Sequence, residues 1–600
     1  MSVHQQAKAL ETSLANARSR LQAAQDHRGA FCGELSSSAL STATAAMALA
    51  MANDPGMRQQ ARAGHVWLCE NQNADGGWGD TIESPSNIST TLLAWSSLNY
   101  ADLDDPSVQT SVERATTWLQ KDTGDLSPAA LAGTIVKRYG KDRTFSVPIL
   151  TVCALAGRLG EQGWRYVPAL PFELAACPHG LFHLLDLRTV SYALPALIAI
   201  GQVRHFHRPT RNPITWCLRQ FTKTSTLRKL QTIQPASGGF LEAAPLTSFV
   251  VMSLHAMQQT AHPVVQNGQR FLLETVRPDG SWPIDTNLDT WLTSLSVHAL
   301  QEDCPNPQQT LDWLVDQQYR QVHPYTQAAP GGWAWTDLSG GVPDADDTAG
   351  ALLALHHLDP TNIEAASAGI HWLCKLANRN GGVPTFCRGF GRLPFDRSSP
   401  DITAHALRAW QSWRNLVAEP LRAQIDKKTC DAVDYLLTTQ EADGRFIPLW
   451  FGNQLAPNQE NPVYGTSRVL LAVAAVPCPQ GLDPRWVEAG RRGVDWLLQA
   501  CDADGGFGSI EETALALEAL ATWQLAGRTE ELPARLRATI DGCVAWIIEH
   551  TREGTAFATN PIGLYFARLW YSERLYPLVF TVAALTRARS CDPDSCPTPS

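Results

Sequence analysis

One pattern recurs along the chain and constrains its fold more than any single residue. An aromatic-Leu pair at a helix end is followed by a short polar stretch, then Asp-Gly or Asn-Gly, usually with an aromatic close behind. Copies start at Trp67-Leu68 (with Gln72, Asp75, Gly76, Gly77 and Trp78), Phe271-Leu272 (Asp279, Gly280, Trp282) and Trp372-Leu373 (Asn380, Gly381, Gly382). Two more start at Tyr435-Leu436 (Gln440, Asp443, Gly444, Phe446) and Trp496-Leu497 (Asp504, Gly505, Gly506, Phe507). A looser copy runs from Trp313-Leu314 and Gln318 to Gly331, Gly332 and Trp333.

The physics of the repeat is local. Gly tolerates the positive φ that turns the chain after a helix. The Gln amide can satisfy exposed backbone at the helix end, and the aromatic covers the turn. Apolar helical stretches follow, among them Thr90 to Leu98, Trp291 to Leu300, Ala349 to Leu355 and Thr513 to Leu520. Helices alternating with tight turns predict an all-α fold of α/α barrels, or toroids, made of helical hairpins whose inner helices line a cavity. No strong period-2 strand pattern competes. The repeat aromatics themselves read as scaffold, not chemistry.

At 600 residues the chain is too long for one ordinary core, so two or more domains are expected. Apolar residues at 44% against 18% charged exclude a disordered chain. A net charge of -10 excludes a basic nucleic-acid footprint. The 14 cysteines show no metal-type spacing and read as reduced thiols; only Cys591 and Cys596, in a Pro-rich tail, form a local pair. Met1 to Arg28 is polar and helix-prone, unlike a secretory signal. The most apolar stretch, Val190 to Val203, contains a Pro and is too short to span a bilayer, so membrane contact is expected to be one-sided.

One cluster stands apart from the scaffold. Asp344, Asp346 and Asp347 follow Pro343 and precede Thr348-Ala-Gly-Ala-Leu-Leu-Ala-Leu, which reads as a helix. A helix N-terminus favours carboxylates, and capping is the ordinary use of such residues. Three carboxyls within four residues cannot all ionise cheaply, so one should keep its proton, and their titrations should be coupled. Downstream stand Asp401-Ile-Thr-Ala-His405 and Tyr464-Gly465-Thr466. Asp401 and His405 are spaced i to i+4, on one helix face.

From about Gly33 to about Pro577 the turns resemble the QW repeats of the squalene-hopene cyclase and oxidosqualene cyclase superfamily. The likeness is strongest where Pro330-Gly-Gly-Trp-Ala-Trp precedes Asp344-Ala-Asp-Asp-Thr-Ala349, which matches the DxDD acid motif. The resemblance implies two α/α barrels, one inserted in the other. The expected division is an N-terminal helix at 1–30 packing on the second barrel, an inserted barrel at 31–283, a catalytic barrel at 284–585 and a disordered tail at 586–600. It also implies acid-initiated cyclisation of squalene or a similar polyprene. Asp346 would donate the proton, Asp344 and Asp347 would polarise it, and His405 would hydrogen-bond to the acid cluster, oriented by Asp401. Such chemistry suits a dry cavity, because an alkene is an extremely poor base.

The moving cation needs walls that stabilise charge without taking a proton, which aromatic faces do. By resemblance Trp335, Phe386, Trp450 and Tyr464 would line the cavity, with Trp291. The C-terminal group of Tyr565, Phe566, Trp570, Tyr571 and Tyr576 is a further candidate. Hopene formers carry two Glu residues in the inserted barrel that organise water; here Thr44 and Leu93 stand there, which leaves ring count and termination open. No metal or cofactor is expected: Asp104-Asp105 and Asp346-Asp347 both lack the rest of a DDxxD box. The expected partners are a polyprene, a membrane surface and a second copy in a homodimer, without nucleic acid. Arg211 to Ile233 sets Ile214, Leu218 and Phe221 at i, i+4 and i+7 among Arg219, Lys223, Arg228 and Lys229. It is read as an amphipathic surface docking the protein on the cytoplasmic face of a membrane. The rival readings are a cyclase acting on another polyprene or a prenyl diphosphate, and a non-catalytic isoprenoid carrier.

Overall fold

A computed structural model describes residues 3–140, 142–178, 189–391, 393–476, 485–527, 533–564 and 568–591. The chain opens with helices α1 (Val3–Gln22), α2 (Ala39–Ala50), α3 (Pro55–Glu70), α4 (Ile88–Ser97), α5 (Pro106–Thr123), α6 (Pro128–Tyr139) and α7 (Arg143–Leu155). Next come α8 (Thr189–His207), α9 (Pro213–Ile233), α10 (Ala244–Ala256), α11 (Pro263–Glu274), α12 (Asp289–Leu300), α13 (Pro307–Asp316), α14 (Ala345–Leu358) and α15 (Ile363–Leu376). Then follow α16 (Pro400–Trp413), α17 (Glu419–Thr439), α18 (Pro462–Ala475), α19 (Arg485–Ala500), α20 (Ile510–Leu525), α21 (Pro533–His550) and α22 (Tyr576–Ser590). One short antiparallel pair, β1 (Ile562–Leu564) with β2 (Leu569–Tyr571), interrupts the helices.

The sequence repeat is a set of three joints. First, Gln72, Gln234, Gln318 and Gln440 each donate to the carbonyl of the turn glycine and to a carbonyl of a neighbouring outer helix, at 2.8–3.1 Å. Secondly, the indole N–H of Trp78, Trp282 and Trp333 donates to the carbonyl of Leu68, Leu272 and Leu314, each at 2.8 Å, closing the end of the preceding helix. The turn itself needs glycine: Gly381 has φ +88°, and a Cβ there would lie 2.0 Å from the Asp431 carbonyl oxygen.

The third joint was not read from the sequence. A threonine near the start of the inner helix packed beside each turn accepts the backbone N–H of the turn aromatic or its equivalent. Thr42 receives Trp282, Thr91 receives Trp78, Thr348 receives Trp333, Thr466 receives Phe446 and Thr513 receives Phe507, at 2.9–3.0 Å. Thr403 does the same for Val383 at 2.9 Å. Each such bond contributes on the order of 1 kcal/mol, and each buried Trp adds the larger hydrophobic share.

These joints close two rings. In one, α12, α14, α16, α18, α20 and α22 pack each on the next, and α22 returns to α12. Helices α13, α15, α17, α19 and α21 pack around it, and α1 lies against α21 and α22. In the other ring α2, α4, α7, α8 and α10 close among the described residues. Val190 to Val203, set aside above as too short for a bilayer, lies within α8 and serves as one wall of this ring.

Hydrogen bonds between successive inner helix starts place their N-terminal ends together. Ala345 N–H donates to the Thr385 carbonyl, Leu449 N–H to Ser399 Oγ, and the Trp291 indole to Tyr576 Oη. The second ring meets this end with its own helix starts. Ser36 N–H donates to the Ser572 carbonyl (2.8 Å), Trp570 N–H to Asp80 (2.9 Å), Tyr192 Oη–H to the Phe386 carbonyl (2.8 Å) and Gly340 N–H to Glu242 (2.6 Å). The two rings therefore face one another at the ends where their inner helices begin. Helix α22 runs through Ser590, so 586–590, expected to be tail, is helical; Cys591 is a buried free thiol, while Cys596 lies outside the described residues.

Candidate active site

The acid turn forms where the third joint and a helix cap coincide. Asp344 is the N-cap of α14: its carboxylate accepts the N–H groups of Asp346 and Asp347, each at 2.9 Å. Thr348 holds Trp333 and donates back to the Asp344 carbonyl at 2.5 Å. The Thr-Ala flank that made the motif specific is therefore scaffold shared by the repeats. The three carboxyls then diverge. Asp344 and Asp347 are buried, whereas the Asp346 side chain keeps 15% of its surface exposed and meets His405 Nδ1 at 2.6 Å.

Burial drives the electrostatics. It lifts the Asp344 carboxyl to about 7, against the hydrogen bonds it receives and with the Asp346 charge adding to the rise. Asp347 is pushed well above the carboxylate range by burial and by the Asp344 charge, and one of its oxygens is buried without a partner. His405 is held down to about 4 by burial, although the Asp346 contact works the other way, so the ring is neutral near pH 7.

Asp401 does not orient His405. No hydrogen bond joins the two: the Ser399 hydroxyl holds one Asp401 oxygen and the other is buried without a partner. The i to i+4 spacing places them on one helix face, but Ser399 sits closer in the chain and reaches the carboxylate first. Burial, joined by the Asp346 charge, raises Asp401 to about 6. Trp291 packs edge-on against His405, with ring centres 6.0 Å apart.

The aromatic candidates fall into two groups. Phe386 is the hub of one, 6.4 Å from Trp335 and 5.6 Å from Trp450. Tyr192, from the other ring, and Phe395 join it at 5.4 and 5.7 Å. Neither was singled out in the sequence: Tyr192 lies in a run with no motif, and only the facing of the rings brings it here. Tyr464 belongs to the second group. It packs on Phe451 at 4.7 Å and under the buried Arg468 guanidinium at 5.1 Å.

The C-terminal candidates divide differently. Tyr571 and Tyr576 share a 2.9 Å hydrogen bond and lie near the acid, and Tyr576 receives Trp291. Trp570 is fully buried beside Asp80, and Tyr565 and Phe566 lie outside the described residues. Thr44 spends its hydroxyl on the Leu40 and Ser41 carbonyls, and Leu93 is buried.

What the geometry can do is narrow. It holds one accessible carboxyl against a neutral imidazole, among carboxyls that burial raises, with the Trp291 ring edge-on to that imidazole. That is the equipment for general acid catalysis next to a cation.

Known proteins agree. The model of the squalene-hopene cyclase C-terminal domain matches residues 285–589, and that of the N-terminal domain matches residues 14–129. The chain is 24% identical to enfumafungin synthase efuA of Hormonema carpetanum, over 84% of this chain and 42% of that one. It is 23% identical to squalene hopane cyclase afumA of Aspergillus fumigatus, over 80% and 75% of the two chains. An ent-copalyl diphosphate synthase from Streptomyces platensis shares the fold at a TM-score of 0.58 and 18% identity, covering 97% of this chain and 99% of its own. The chain belongs to the squalene-hopene cyclase family and is a class II terpene cyclase.

Proposed function

We propose that this enzyme cyclises squalene, or a closely similar polyprene, to a hopene-type or related polycycle, with Asp346 as the proton donor. The observation that carries this reading is the 2.6 Å contact between His405 Nδ1 and the one motif carboxyl that stays accessible. The Asp346 O–H bond breaks as a C–H bond forms on the terminal alkene, leaving a carboxylate and a tertiary cation. His405 fixes which oxygen carries the hydrogen. Trp335, Phe386, Trp450 and Tyr464 present π-faces to the advancing charge. The reading takes residues 31–283 as the inserted barrel and 284–585 as the acid-bearing one, with the two ring closures in its support.

The same proposal places the enzyme on a membrane surface. Ile214 (80% exposed), Leu218 (48%) and Phe221 (85%) project from α9, with Trp216 (43%) beside them. Arg219 is not one of the surface cations: it is buried in a 3.0 Å ion pair with Glu173. Among the described residues no helix is long and apolar enough to cross a membrane. Attachment through α9 would let a lipid-borne substrate enter without meeting water.

A prenyl diphosphate substrate is the second reading, and one observation favours it. Arg138, the penultimate residue of α6, buries its Nε and one Nη without a partner, and it lies within charge range of the half-buried Arg568. Two guanidiniums from the two facing rings would suit an anionic head group.

The deciding experiment incubates purified protein in detergent with squalene, oxidosqualene and geranylgeranyl diphosphate, and identifies products by mass spectrometry. Cyclised squalene that disappears in Asp346→Asn is the expected result. Turnover of the diphosphate alone would replace squalene by the second reading. Tight squalene binding without conversion would make the protein a carrier.

A further inference from the structure

Where α8 ends and α9 begins, the chain carries positive charge with little to balance it. Between Asp186 and Glu242 stand eight Lys and Arg residues and no Asp or Glu, in a chain whose net charge is -10. Four of the eight gather around one opening. A cavity of about 330 Å³ is lined by Arg204, Arg208, Arg211 and Arg219, with Pro209 and Thr210 between them. A smaller cavity of about 120 Å³ adjoins it through Pro209 and Arg219 and adds Lys223.

The walls are held by the protein itself. Arg219 is spent: it pairs with Glu173 at 3.0 Å and donates to the Leu170 carbonyl at 3.2 Å. Arg204 donates from Nε to the Val167 carbonyl at 3.2 Å and from Nη1 to the Arg208 carbonyl. Gln202 of α8 donates to the Lys223 carbonyl at 3.1 Å and to Thr226 Oγ1 at 2.8 Å, which locks α9 on α8. Glu173 therefore answers one guanidinium. Among the described residues no ion pair reaches Arg204, Arg208, Arg211 or Lys223. Arg208 and Arg211 are exposed and Arg204 is half-buried. Burial and the Arg208 and Arg219 charges hold Arg204 below its ordinary range. An anion relieves such crowding, and guanidiniums offer paired N–H groups that fit the oxygens of a phosphate.

The surroundings decide where that phosphate comes from. Phe206, Ile214, Trp216, Leu218 and Phe221 are all exposed on the same two helices. Trp216 shares a face of α9 with Gln220 and Lys223, which line the smaller cavity, at i, i+4 and i+7. Lys223 Nζ lies 6.0 Å over the Phe206 ring. A site for a soluble anion has no use for exposed aromatic rings at its rim. A phospholipid surface meets both needs at once, with acyl chains for the rings and phosphates for the arginines.

We infer that the cavity lined by Arg204, Arg208 and Arg211 binds the phosphate of a phospholipid headgroup, and that the protein prefers membranes of net negative charge. A zwitterionic headgroup brings a cation along with its phosphate; an anionic one does not. This names the lipid class for the membrane attachment proposed above and rests on that reading. It is independent of the acid at Asp346.

The test is co-sedimentation of the full chain with vesicles of phosphatidylcholine alone or mixed with phosphatidylglycerol, with unfolding midpoints as a control. The parent should bind the mixed vesicles at least roughly thirtyfold more tightly. The Arg208→Ala, Arg211→Ala double variant removes two exposed cations of the cavity and should erase most of that preference. The Arg228→Ala, Lys229→Ala double variant removes the same charge from α9 outside the cavity and should cost about threefold. Equal losses in the two would overturn the inference, since that pattern belongs to diffuse surface charge. So would inorganic phosphate raising the parent's midpoint through Arg208 and Arg211 while the two kinds of vesicle bind alike, because the site would then serve a soluble anion. Ile214→Ser with Phe221→Ser separates this inference from the reading beneath it. If the parent binds neither vesicle, the membrane reading itself falls. If it binds both equally and the serine variant is released from both, attachment stands and only the headgroup site falls.

Discussion

The start of α14 and the start of α20 are two versions of one design. Asp344-Ala-Asp-Asp-Thr-Ala opens the first and Ser509-Ile-Glu-Glu-Thr-Ala the second. Each has a side-chain N-cap, Asp344 to Asp346 and Asp347 N–H, and Ser509 to Glu512 N–H at 3.1 Å. Each has a threonine holding the preceding aromatic, and each brings a pair of carboxyls to the end where the rings meet. They differ in what stands opposite. Asp346 meets an imidazole, whereas Glu511 accepts the Asn560 backbone N–H at 2.9 Å and Glu512 the Asn453 side-chain amide at 2.8 Å. An amide fixes a carboxyl and cannot exchange a proton with it near neutral pH; an imidazole can do both. The repeat supplies carboxyls at this end, and the facing residue decides whether they do chemistry.

The largest expected contrast is in rate. Asp346→Asn should lower kcat by about 10³ or more, within or beyond the range of general acid catalysis. Glu511→Gln and Glu512→Gln should stay within about tenfold of the parent, because Gln keeps an acceptor for both amide donors. Initial rates of cyclised product measure all three. Equal losses would erase the distinction and make the α20 pair part of the chemistry.

His405→Asn comes next. The contact to Asp346 is lost or lengthened while the buried site stays polar, and kcat should fall roughly 100-fold, as when a group that orients a reacting residue is removed. Asp401→Asn should cost less, since Asp401 is tied to Ser399 and not to the imidazole. If Asp401→Asn proved the more damaging, charge from Asp401, and not the imidazole contact, would govern the acid.

Thr348→Val and Thr513→Val probe what the two starts share. Each removes the acceptor of a buried backbone N–H, a loss of about 1–3 kcal/mol. The two should lower the unfolding midpoint by similar amounts. A Thr348→Val enzyme with unchanged midpoint and abolished turnover would assign that hydroxyl to the acid.

Much of this was readable in the sequence, and the misreadings share a cause. The helical hairpins, the turn glycines and the Gln and Trp joints follow from local chemistry at fixed offsets, so they appear in the chain as a period. Asp344 as cap and the meeting of Asp346 with His405 carried strong motif signals. The threonine joint was present at every repeat but was hidden inside the acid motif at Thr348, where it passed for part of the chemistry. Asp401 was paired with His405 by helical spacing, a rule blind to Ser399 two residues before it. Tyr192 and Arg468 are assembled by ring closure across distant helices, and neither stands in a local pattern. Arg468 does follow Tyr464-Gly-Thr-Ser directly, and an arginine in so apolar a helix was a signal available to be read.

The smallest effect concerns stability against pH and sharpens the contrast from the α20 side. Burial raises Glu511 to about 8 and Glu512 to about 7, above the ordinary glutamate value of 4.5. A carboxyl whose folded value is raised contributes fully below the unfolded value, and that contribution is lost as pH rises through the folded one. Between about pH 4.5 and 8 the unfolded chain releases these protons before the folded chain does, so this pair costs stability over that window. Gln at both positions removes the titration. The midpoint of the Glu511→Gln, Glu512→Gln double variant should therefore gain on the parent as pH goes from 5 to 8.5. Asp344 and Asp401, raised to about 7 and about 6, shift both proteins alike and drop out of the difference. Calorimetric midpoints across the range provide the check. A flat difference would mean that Glu511 and Glu512 are ionised in the folded enzyme, held by their amide donors alone, and that burial at this end of the ring is not what keeps carboxyls neutral, in α20 or in α14.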